Sequence, residues 1–214
     1  MILFLDVISP EPKFVVIDNN KTIESLHILD NNYKKISDRI HIKFLNLQKK
    51  YNLINLLNYL IVCTGPGSYT SLRVGISFML GISYSKKIPI CGFSGTKLLG
   101  SSILIKDFYK TLIVICSTNN QNYICLPINH KKFQYKILNV INKDSLDNID
   151  YKIYSKCITN FNLPDFLNNE LSYNIKKLEY INFEDKLNNN LLTTSVDEKI
   201  LQPIYVSNNK LFNY

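Results

Sequence analysis

The sequence Cys63-Thr64-Gly65-Pro66-Gly67-Ser68-Tyr69-Thr70-Ser71-Leu72-Arg73 carries the strongest conformational signals of this chain. All seven glycines lie between Gly65 and Gly100, so the backbone freedom that glycine supplies is concentrated in about one sixth of the chain. An apolar run, Tyr59–Cys63, precedes the motif, and apolar residues recur at helical spacing after it. The pattern predicts a strand, a tight glycine turn and a helix over residues 72–84.

Five residues of the motif are expected to shape the turn. Gly65 and Gly67 supply backbone freedom, Pro66 stiffens the chain, and Ser68 or Thr70 can cap the free N–H groups of the helix. A turn of this kind can hold an anion or simply pack tightly. It lacks the lysine that follows the second glycine of a P-loop and does not meet the G-x-S-x-G pattern of serine hydrolases. Neither nucleotide binding of the P-loop type nor a nucleophilic serine is therefore expected.

The composition is that of an ordinary globular protein. Of 214 residues, 46% are hydrophobic and 20% are charged, which allows a sizeable core. The net charge is +8, but only two of the 25 basic residues are arginine, and the abundance of Lys and Asn without Ala or Trp is typical of an AT-rich coding sequence. A solvated lysine surface is therefore favoured over a dedicated nucleic-acid face, because guanidinium groups and aromatic–basic interleaving are missing.

Cysteine and histidine spacing predicts neither a metal site nor a disulfide framework. The five cysteines are odd in number and never form C-x-x-C, and the three histidines lack metal-ligand spacing. Met1–Asp6 reads as a strand rather than a signal peptide, and no apolar run approaches the length of a membrane span. We therefore expect a cytoplasmic protein that has no contact with a membrane.

The second half of the sequence echoes the first in its predicted strand order, though not in its residues. In the first half, the strands span residues 2–7, 13–18, 22–29, 59–63 and 88–93, and the helices are marked by the stripe Ile36, Ile40, Phe44 and Leu47 and by residues 72–84. Ile40, Ile42 and Phe44 also alternate with polar residues, which is compatible with a strand. We predict a helix because the segment is longer than a usual strand. Three strands, then helix, strand, helix and strand is the order of the ribonuclease-H-like lobe of sugar kinases and actin.

The second half begins after a short helix from Ser94 to about Leu104 and a boundary at 106–110. Strands are predicted over 112–118, 123–128 and 133–141, then a candidate strand over 151–155, a helix over 165–192 and an extended tail over 202–209. We therefore predict an α/β, actin-like (ASKHA, ribonuclease-H-like) two-lobed fold with mixed sheets and flanking helices. The predicted lobes are residues 1–105 and 106–214.

The first hairpin is the place where an actin-like lobe grips nucleotide phosphates. Asp6 stands at the end of the first strand, as such a site requires, but Val7-Ile8-Ser9-Pro10 contains no glycine, and Pro10 lacks the N–H that a phosphate needs. This loop therefore lacks the glycine and one of the backbone N–H groups with which an actin-like site binds phosphate. Asp6 alone is more often a hydrogen-bonded acid at a strand end than a magnesium ligand.

Four segments together resemble a known family. They are Gly65-Pro66-Gly67-Ser68-Tyr69-Thr70-x-Leu72-Arg73-x-Gly75-Ile76 with Gly81, then Ile88-Pro89-Ile90-x-Gly92-x-Ser94, and the terminal matches Ile2-Leu3-x-Leu5-Asp6 and Pro203-Ile204-Tyr205-Val206-x-Asn208-Asn209. This pattern resembles the TsaB (YeaZ) family, noncatalytic partners in bacterial threonylcarbamoyladenosine synthesis. The chain departs from the family pattern at four places. Ser71 replaces a glycine of the family, and Asp6-Val7-Ile8 replaces its Asp-Thr-Ser hairpin. Lys35-Ile36 stands near the position of the histidine-serine motif of the family's first helix, and Ser207 replaces the arginine of its tail.

The resemblance implies a noncatalytic scaffold or activator with no catalytic residue, metal or cofactor of its own. Such a protein forms a heterodimer with its catalytic paralogue TsaD, is joined by the ATPase TsaE, and meets tRNA indirectly through the complex. A homodimer of the isolated chain stays open. The alternatives are a small ATP-dependent kinase-like enzyme, which needs a glycine phosphate turn in the first hairpin, and direct tRNA binding by the basic surface.

The helix after the turn suggests where the partner docks. Ser77, Gly81 and Ser85 recur every four residues and therefore share a face with small side chains. We expect this face to let another helix approach, with the stripe of the preceding helix alongside; the alternative is that it packs only on the protein's own sheet. The predicted partner-binding residues are Ile36, Ile40, Phe44, Leu47, Leu72, Arg73, Ser77, Gly81 and Ser85.

Overall fold

The computed structural model describes residues 1–30, 35–147, 149–187 and 201–206. These residues form two five-stranded mixed sheets. In the first sheet the strands are β1 (Ile2–Asp6), β2 (Lys13–Asp18), β3 (Lys21–His27), β4 (Tyr59–Cys63) and β5 (Ile90–Phe93). Their spatial order is β3-β2-β1-β4-β5; β1 is antiparallel to β2 and parallel to β4.

Three helices accompany the first sheet. They are α1 (Ile36–Tyr51), the short α2 (Leu53–Leu56) and α3 (Tyr69–Lys86). Phe44 of α1, Phe78 of α3 and Phe14 of β2 form an aromatic cluster with ring centroids 5.5–6.2 Å apart, which holds both helices on the sheet. We call β1–β5 with α1–α3 the first lobe.

The second sheet repeats this topology. After α4 (Gly95–Gly100) and a 3-10 helix (Ile105–Lys110) come β6 (Thr111–Cys116), β7 (Asn122–Asn129), β8 (Gln134–Val140), β9 (Lys156–Thr159), α5 (Asp165–Asn174) and β10 (Lys177–Tyr180). Their order is β8-β7-β6-β9-β10, and β6 is antiparallel to β7 and parallel to β9. We call β6–β10 with α5 the second lobe. The predicted actin-like α/β fold with two mixed sheets is confirmed; the boundary between residues 105 and 106 stays a prediction.

The two lobes share a core because β6 alternates its side chains. Ile113 and Ile115 join the core of the first lobe, whereas Leu112 and Val114 face a second cluster beneath α5. One face of the second sheet is therefore covered by the first lobe and the other by its own helix.

Three sequence predictions in and before the second half are wrong. The candidate strand at 151–155 begins instead as a 3-10 helix, Tyr151–Ile153, and the strand follows at Lys156–Thr159. The helix predicted over 165–192 ends at Asn174, because the chain then enters β10, whose Leu178 pairs with Cys157 in a parallel ladder. The helix expected to reach Leu104 ends at Gly100. Residues 188–192 and 207–209 of the predicted helix and tail lie outside the described residues.

Candidate functional site

The glycine turn is closely packed on both sides. Gly65 has φ +119°, and a Cβ there would lie 2.8 Å from the carbonyl oxygen of Ile204. The N–H of Ile204 donates to the carbonyl of Thr64 at 2.7 Å, so the tail segment 201–206 crosses the turn. A Cβ on Gly67 would lie 2.6 Å from Cγ2 of Ile8. The Gly65–Pro66 peptide is cis. The turn therefore has no room for larger residues at either glycine.

The side-chain cap predicted for α3 is wrong. Ser68 occupies the N-cap position, but its side chain makes no cap hydrogen bond, and Thr70 lies inside the first turn of the helix. Only the Ser68 carbonyl acts there, accepting the N–H of Leu72 at 2.9 Å. The Ser71 hydroxyl points across to the second lobe, 3.4 Å from the Thr118 hydroxyl. The amino end of α3 therefore opens toward the space between the lobes.

The loop after β1 is fastened to the second lobe. The Asp6 carboxylate accepts the N–H groups of Ile8 and Ser9, each at 3.0 Å, and burial raises the pKa of the Asp6 carboxyl. The Ile8 carbonyl accepts the N–H of Thr118 at 3.0 Å, and the Ser9 hydroxyl accepts Nδ2 of Asn160 at 3.0 Å. The backbone that faces phosphate in an actin-like site is here bonded to the neighbouring lobe.

A cavity of about 530 Å³ lies between the lobes, where the amino ends of α1 and α3 meet the β6–β7 connection. Its polar lining is dominated by hydroxyl groups, with one lysine and one asparagine. These residues are Lys35, Ser37, Ser68, Thr70, Ser71, Ser117, Thr118 and Asn120. The buried Ser117 hydroxyl has no hydrogen-bond partner among the described residues. The described lining includes no carboxylate, histidine or cysteine, so it offers hydrogen bonds and one positive charge rather than a strong base.

The predicted partner-binding residues divide into two groups. Five of them are buried in the core of the first lobe: Ile36, Ile40, Phe44, Leu47 and Leu72. The physical reason is that a stripe with a period of 3.6 residues marks the face of a helix that packs on its own sheet. The prediction that these five residues lie on a docking surface is therefore wrong. The other four, Arg73, Ser77, Gly81 and Ser85, are exposed on α3.

The outer face of α3 is open at Gly81. Apart from its own helix, no described residue places an atom within 4 Å of a Cβ built on Gly81, so packing against the described part of the chain does not require a glycine there. Tyr84, three residues further, is 80% exposed, and Leu45 on the outer side of α1 is 51% exposed. Neither residue was predicted from the sequence as part of a docking surface, although an apolar side chain outside the buried stripe of its helix is the signal that indicates one. At the other end of α3, the Arg73 guanidinium lies 4.5 Å from the Tyr69 ring centroid, and the tail tyrosine Tyr205 packs against that ring.

Other reactive groups are dispersed or buried. In the parts of the chain that the structure describes, no three His, Cys, Asp or Glu side chains come together as metal ligands, and no helix has the length and hydropathy needed to cross a bilayer. All five cysteines are buried thiols. Burial raises the pKa of Cys116 to about 11 and that of Cys157 to about 12, which keeps both protonated at neutral pH.

Comparison with known proteins agrees with this architecture. The model of the TsaD family, tRNA N6-adenosine threonylcarbamoyltransferase, matches residues 46–174, which is more than half of the chain. YeaZ from Pseudomonas aeruginosa aligns with 12% identity and a TM-score of 0.59 over 96% of this chain and 99% of that chain. An uncharacterised P. aeruginosa protein with similarity to peptidase YeaZ aligns with 12% identity and a TM-score of 0.60, over the same shares of each chain.

A Bacteroides thetaiotaomicron protein with an actin-like ATPase fold aligns with 9% identity and a TM-score of 0.48, over 84% of this chain and 90% of that chain. No curated protein sequence matches significantly. The chain belongs to the TsaD family of tRNA N6-adenosine threonylcarbamoyltransferase proteins, and it has the two-lobed fold of that family's YeaZ (TsaB) members.

Proposed function

We propose that this chain is the noncatalytic subunit of the assembly that installs the threonylcarbamoyl group on the adenosine next to the tRNA anticodon. It acts by forming a heterodimer with a TsaD-like catalytic subunit, and a TsaE-like ATPase joins the complex in the cytoplasm. The observation that carries the proposal is the open face of α3 around Gly81, in a chain of this family.

The α3 face has the properties of a helix-docking surface. A glycine inside a helix costs roughly 0.5–1 kcal/mol relative to alanine, and packing against the described residues does not explain Gly81. Because Ser77, Gly81 and Ser85 share this face, the backbone of another helix can approach α3 closely. Tyr84 and Leu45 supply exposed apolar surface near this face and on the neighbouring helix. A specific interface here must bury more than about 1,000 Å² in total.

The noncatalytic part of the proposal is supported by the loop after β1. A kinase of this fold needs free backbone N–H groups there for phosphate, but the N–H groups of Ile8 and Ser9 bond to Asp6. The Asp6 carboxylate is buried and engaged by these donors. The same loop is fixed to Thr118 and Asn160 of the second lobe.

The test is association with the TsaD-like subunit of the same organism, measured by titration calorimetry. We expect Gly81→Leu to abolish the heterodimer, because a leucine side chain fills the space that the partner helix occupies. Gly81→Ala is the matched control, since it adds only one methyl group to the same open position. Ser172→Leu places a leucine at an exposed position of α5 and controls for a general effect of added apolar surface.

Circular dichroism is recorded for each variant to show that the chain remains folded. The proposal is contradicted by a folded Gly81→Leu protein that binds with native affinity, or by a wild-type chain that does not bind the catalytic subunit.

A further inference from the structure

The positive charge of this chain is concentrated in one part of the sequence. Between Asp38 and Asp144, Asp107 is the single acidic residue, whereas the same interval contains twelve lysines and two arginines. A coding bias toward lysine and asparagine acts along the whole chain, so it does not explain why acidic residues are nearly missing from this interval. The excess positive charge is therefore a property of residues 39–143 rather than of the whole chain.

The fold gathers four of these lysines at one corner of the second lobe. Lys106 and Lys110 lie on the 3-10 helix Ile105–Lys110, and Lys131 and Lys132 lie in the turn of the β7–β8 hairpin. The two elements meet through the buried Phe108, whose ring centroid lies 5.6 Å from that of His130 and 5.4 Å from that of Tyr135. We call these four lysines the basic corner.

The lysines of the basic corner differ from many others on this surface. All four are exposed, and within the described ranges none of them forms an ion pair. Elsewhere, Lys13 pairs with Glu184, Lys50 with Glu24, Lys143 with Glu170, and both Lys156 and Lys177 with Glu179. The carboxylate of Asp107, which is half-buried, makes no ion pair with described residues. Ion pairs with the described residues therefore do not neutralise the field of the basic corner.

The hairpin that carries these charges is held in a defined conformation. The N–H of Lys132 donates to Oδ1 of Asn129 at 3.3 Å, and Phe133 has φ +47°. The side chains of Phe133 and Tyr135 lie against Gly100 of α4: a Cβ there would lie 2.5 Å from the Tyr135 hydroxyl oxygen and 3.4 Å from Cδ1 of Phe133. An ordered hairpin keeps Lys131 and Lys132 at a fixed place beside the 3-10 helix, so a ligand loses less conformational entropy when it binds.

We propose that the basic corner binds the phosphate backbone of tRNA. The inference rests on the proposed function, which brings the chain into a complex whose substrate is tRNA. Lysine ammonium groups act as point charges toward phosphate and do not read base edges, so the contact positions the RNA without selecting its sequence. Tyr109, 59% exposed on the same 3-10 helix, adds a ring on which an unpaired base can stack.

The experiment measures tRNA affinity of the reconstituted heterodimer over a range of KCl concentrations. The variant is Lys131→Gln/Lys132→Gln, and the control is Lys176→Gln/Lys177→Gln, which removes two adjacent exposed lysines at the start of β10, at the opposite edge of the same sheet; Lys177 is the one of the two that pairs with Glu179. Each lost phosphate contact lowers the slope of log affinity against log salt by about 1, so we expect the hairpin variant to reduce it by about 2. We also expect about a tenfold or greater loss of affinity at low salt, with the control unchanged.

The outcomes separate this inference from the proposed function. A heterodimer that forms normally, yet binds tRNA with an unaltered affinity and salt slope in the hairpin variant, overturns the inference alone. Equal losses in the hairpin variant and the control also overturn it, because they indicate general charge effects. If the chain does not bind the catalytic subunit, the proposed function fails, and the same titration is made with the free chain; an unchanged hairpin variant there again overturns the inference.

Discussion

The two lobes have the same strand order but different outer surfaces. In each lobe the first three strands form an antiparallel meander. The fourth and fifth strands lie on the other side of the first strand and run parallel to it. In the first lobe the connection between the third and fourth strands contains the 16-residue α1, whereas in the second lobe it contains 3-10 helices of three residues each, Lys143–Ser145 and Tyr151–Ile153. The fourth strand is followed by the 18-residue α3 in one lobe and by the 10-residue α5 in the other.

The two proposals give different roles to two lobes of one topology. Paired long helices give the first lobe a broad surface on which Gly81 leaves an opening. The second lobe lacks a counterpart of α1 among its described residues, and its β7–β8 hairpin with the adjacent 3-10 helix presents lysines instead. We therefore propose subunit docking for the first lobe and RNA contact for the second, and the following changes test whether the lobes differ in this way.

The largest expected effect comes from removing a core side chain from each lobe. Phe44→Ala removes the ring that joins α1 to α3 and is expected to lower the free energy of unfolding by about 3–5 kcal/mol. Leu167→Ala in α5 leaves a smaller cavity and is expected to cost about 2–5 kcal/mol. Urea denaturation followed by circular dichroism measures both. If Phe44→Ala costs less than about 1 kcal/mol, the two-helix layer is not held by this aromatic cluster.

A smaller effect is expected in the glycine turn between β4 and α3. Gly67→Val places atoms where Ile8 already lies and is expected to lower stability by about 1–3 kcal/mol. Gly81→Val makes the same chemical change at an open position and is expected to leave the melting temperature nearly unchanged. Equal melting temperatures for Gly67→Val and the wild type would show that the turn does not pack as described.

The smallest effect concerns the pH dependence that Asp6 contributes at the lobe junction. Its raised pKa means that the folded protein holds this proton more tightly than the unfolded chain does. The free energy of unfolding of the wild type therefore falls as pH rises from about 4 to the raised pKa, and is then constant with respect to this group. Asn does not titrate, so the free energy of unfolding of Asp6→Asn does not fall in this way. The difference between the variant and the wild type therefore shifts in favour of the variant as pH rises over the same interval.

Chemical denaturation at a series of pH values measures this difference, with Asp144→Asn on the exposed surface as a control for net charge. A relative stability of Asp6→Asn that decreases with rising pH would show that the folded state favours the ionised carboxylate.

The sequence predicted the first lobe better than the second for physical reasons. β4, the turn and α3 combine an apolar run, glycines that larger residues cannot replace, and helical spacing, so several signals agree there. β10 has four residues at a sheet edge and follows an Asn-rich helix, so neither its length nor its periodicity distinguished it. Its pairing with β9 depends on a contact between distant residues, which local patterns do not report.

The candidate sites show the same limit. The stripe of Ile36, Ile40, Phe44 and Leu47 was correctly read as helical, but periodicity identifies the buried face and not the surface that meets a partner. Gly81 and the small residues around it were visible in the sequence because glycine is costly within a helix. The basic corner depends on Phe108 joining two distant segments, and only the fold brings these lysines together.

The difference between the lobes is tested most directly by hydroxyl-radical footprinting of two tyrosines. Tyr84 on α3 is 80% exposed and Tyr173 on α5 is 91% exposed, so each reports on one lobe from a comparable starting point. When the TsaD-like subunit is added, we predict that the oxidation rate of Tyr84 falls several-fold while that of Tyr173 stays constant. Protection of Tyr173 with Tyr84 still fully reactive would contradict docking on the first lobe.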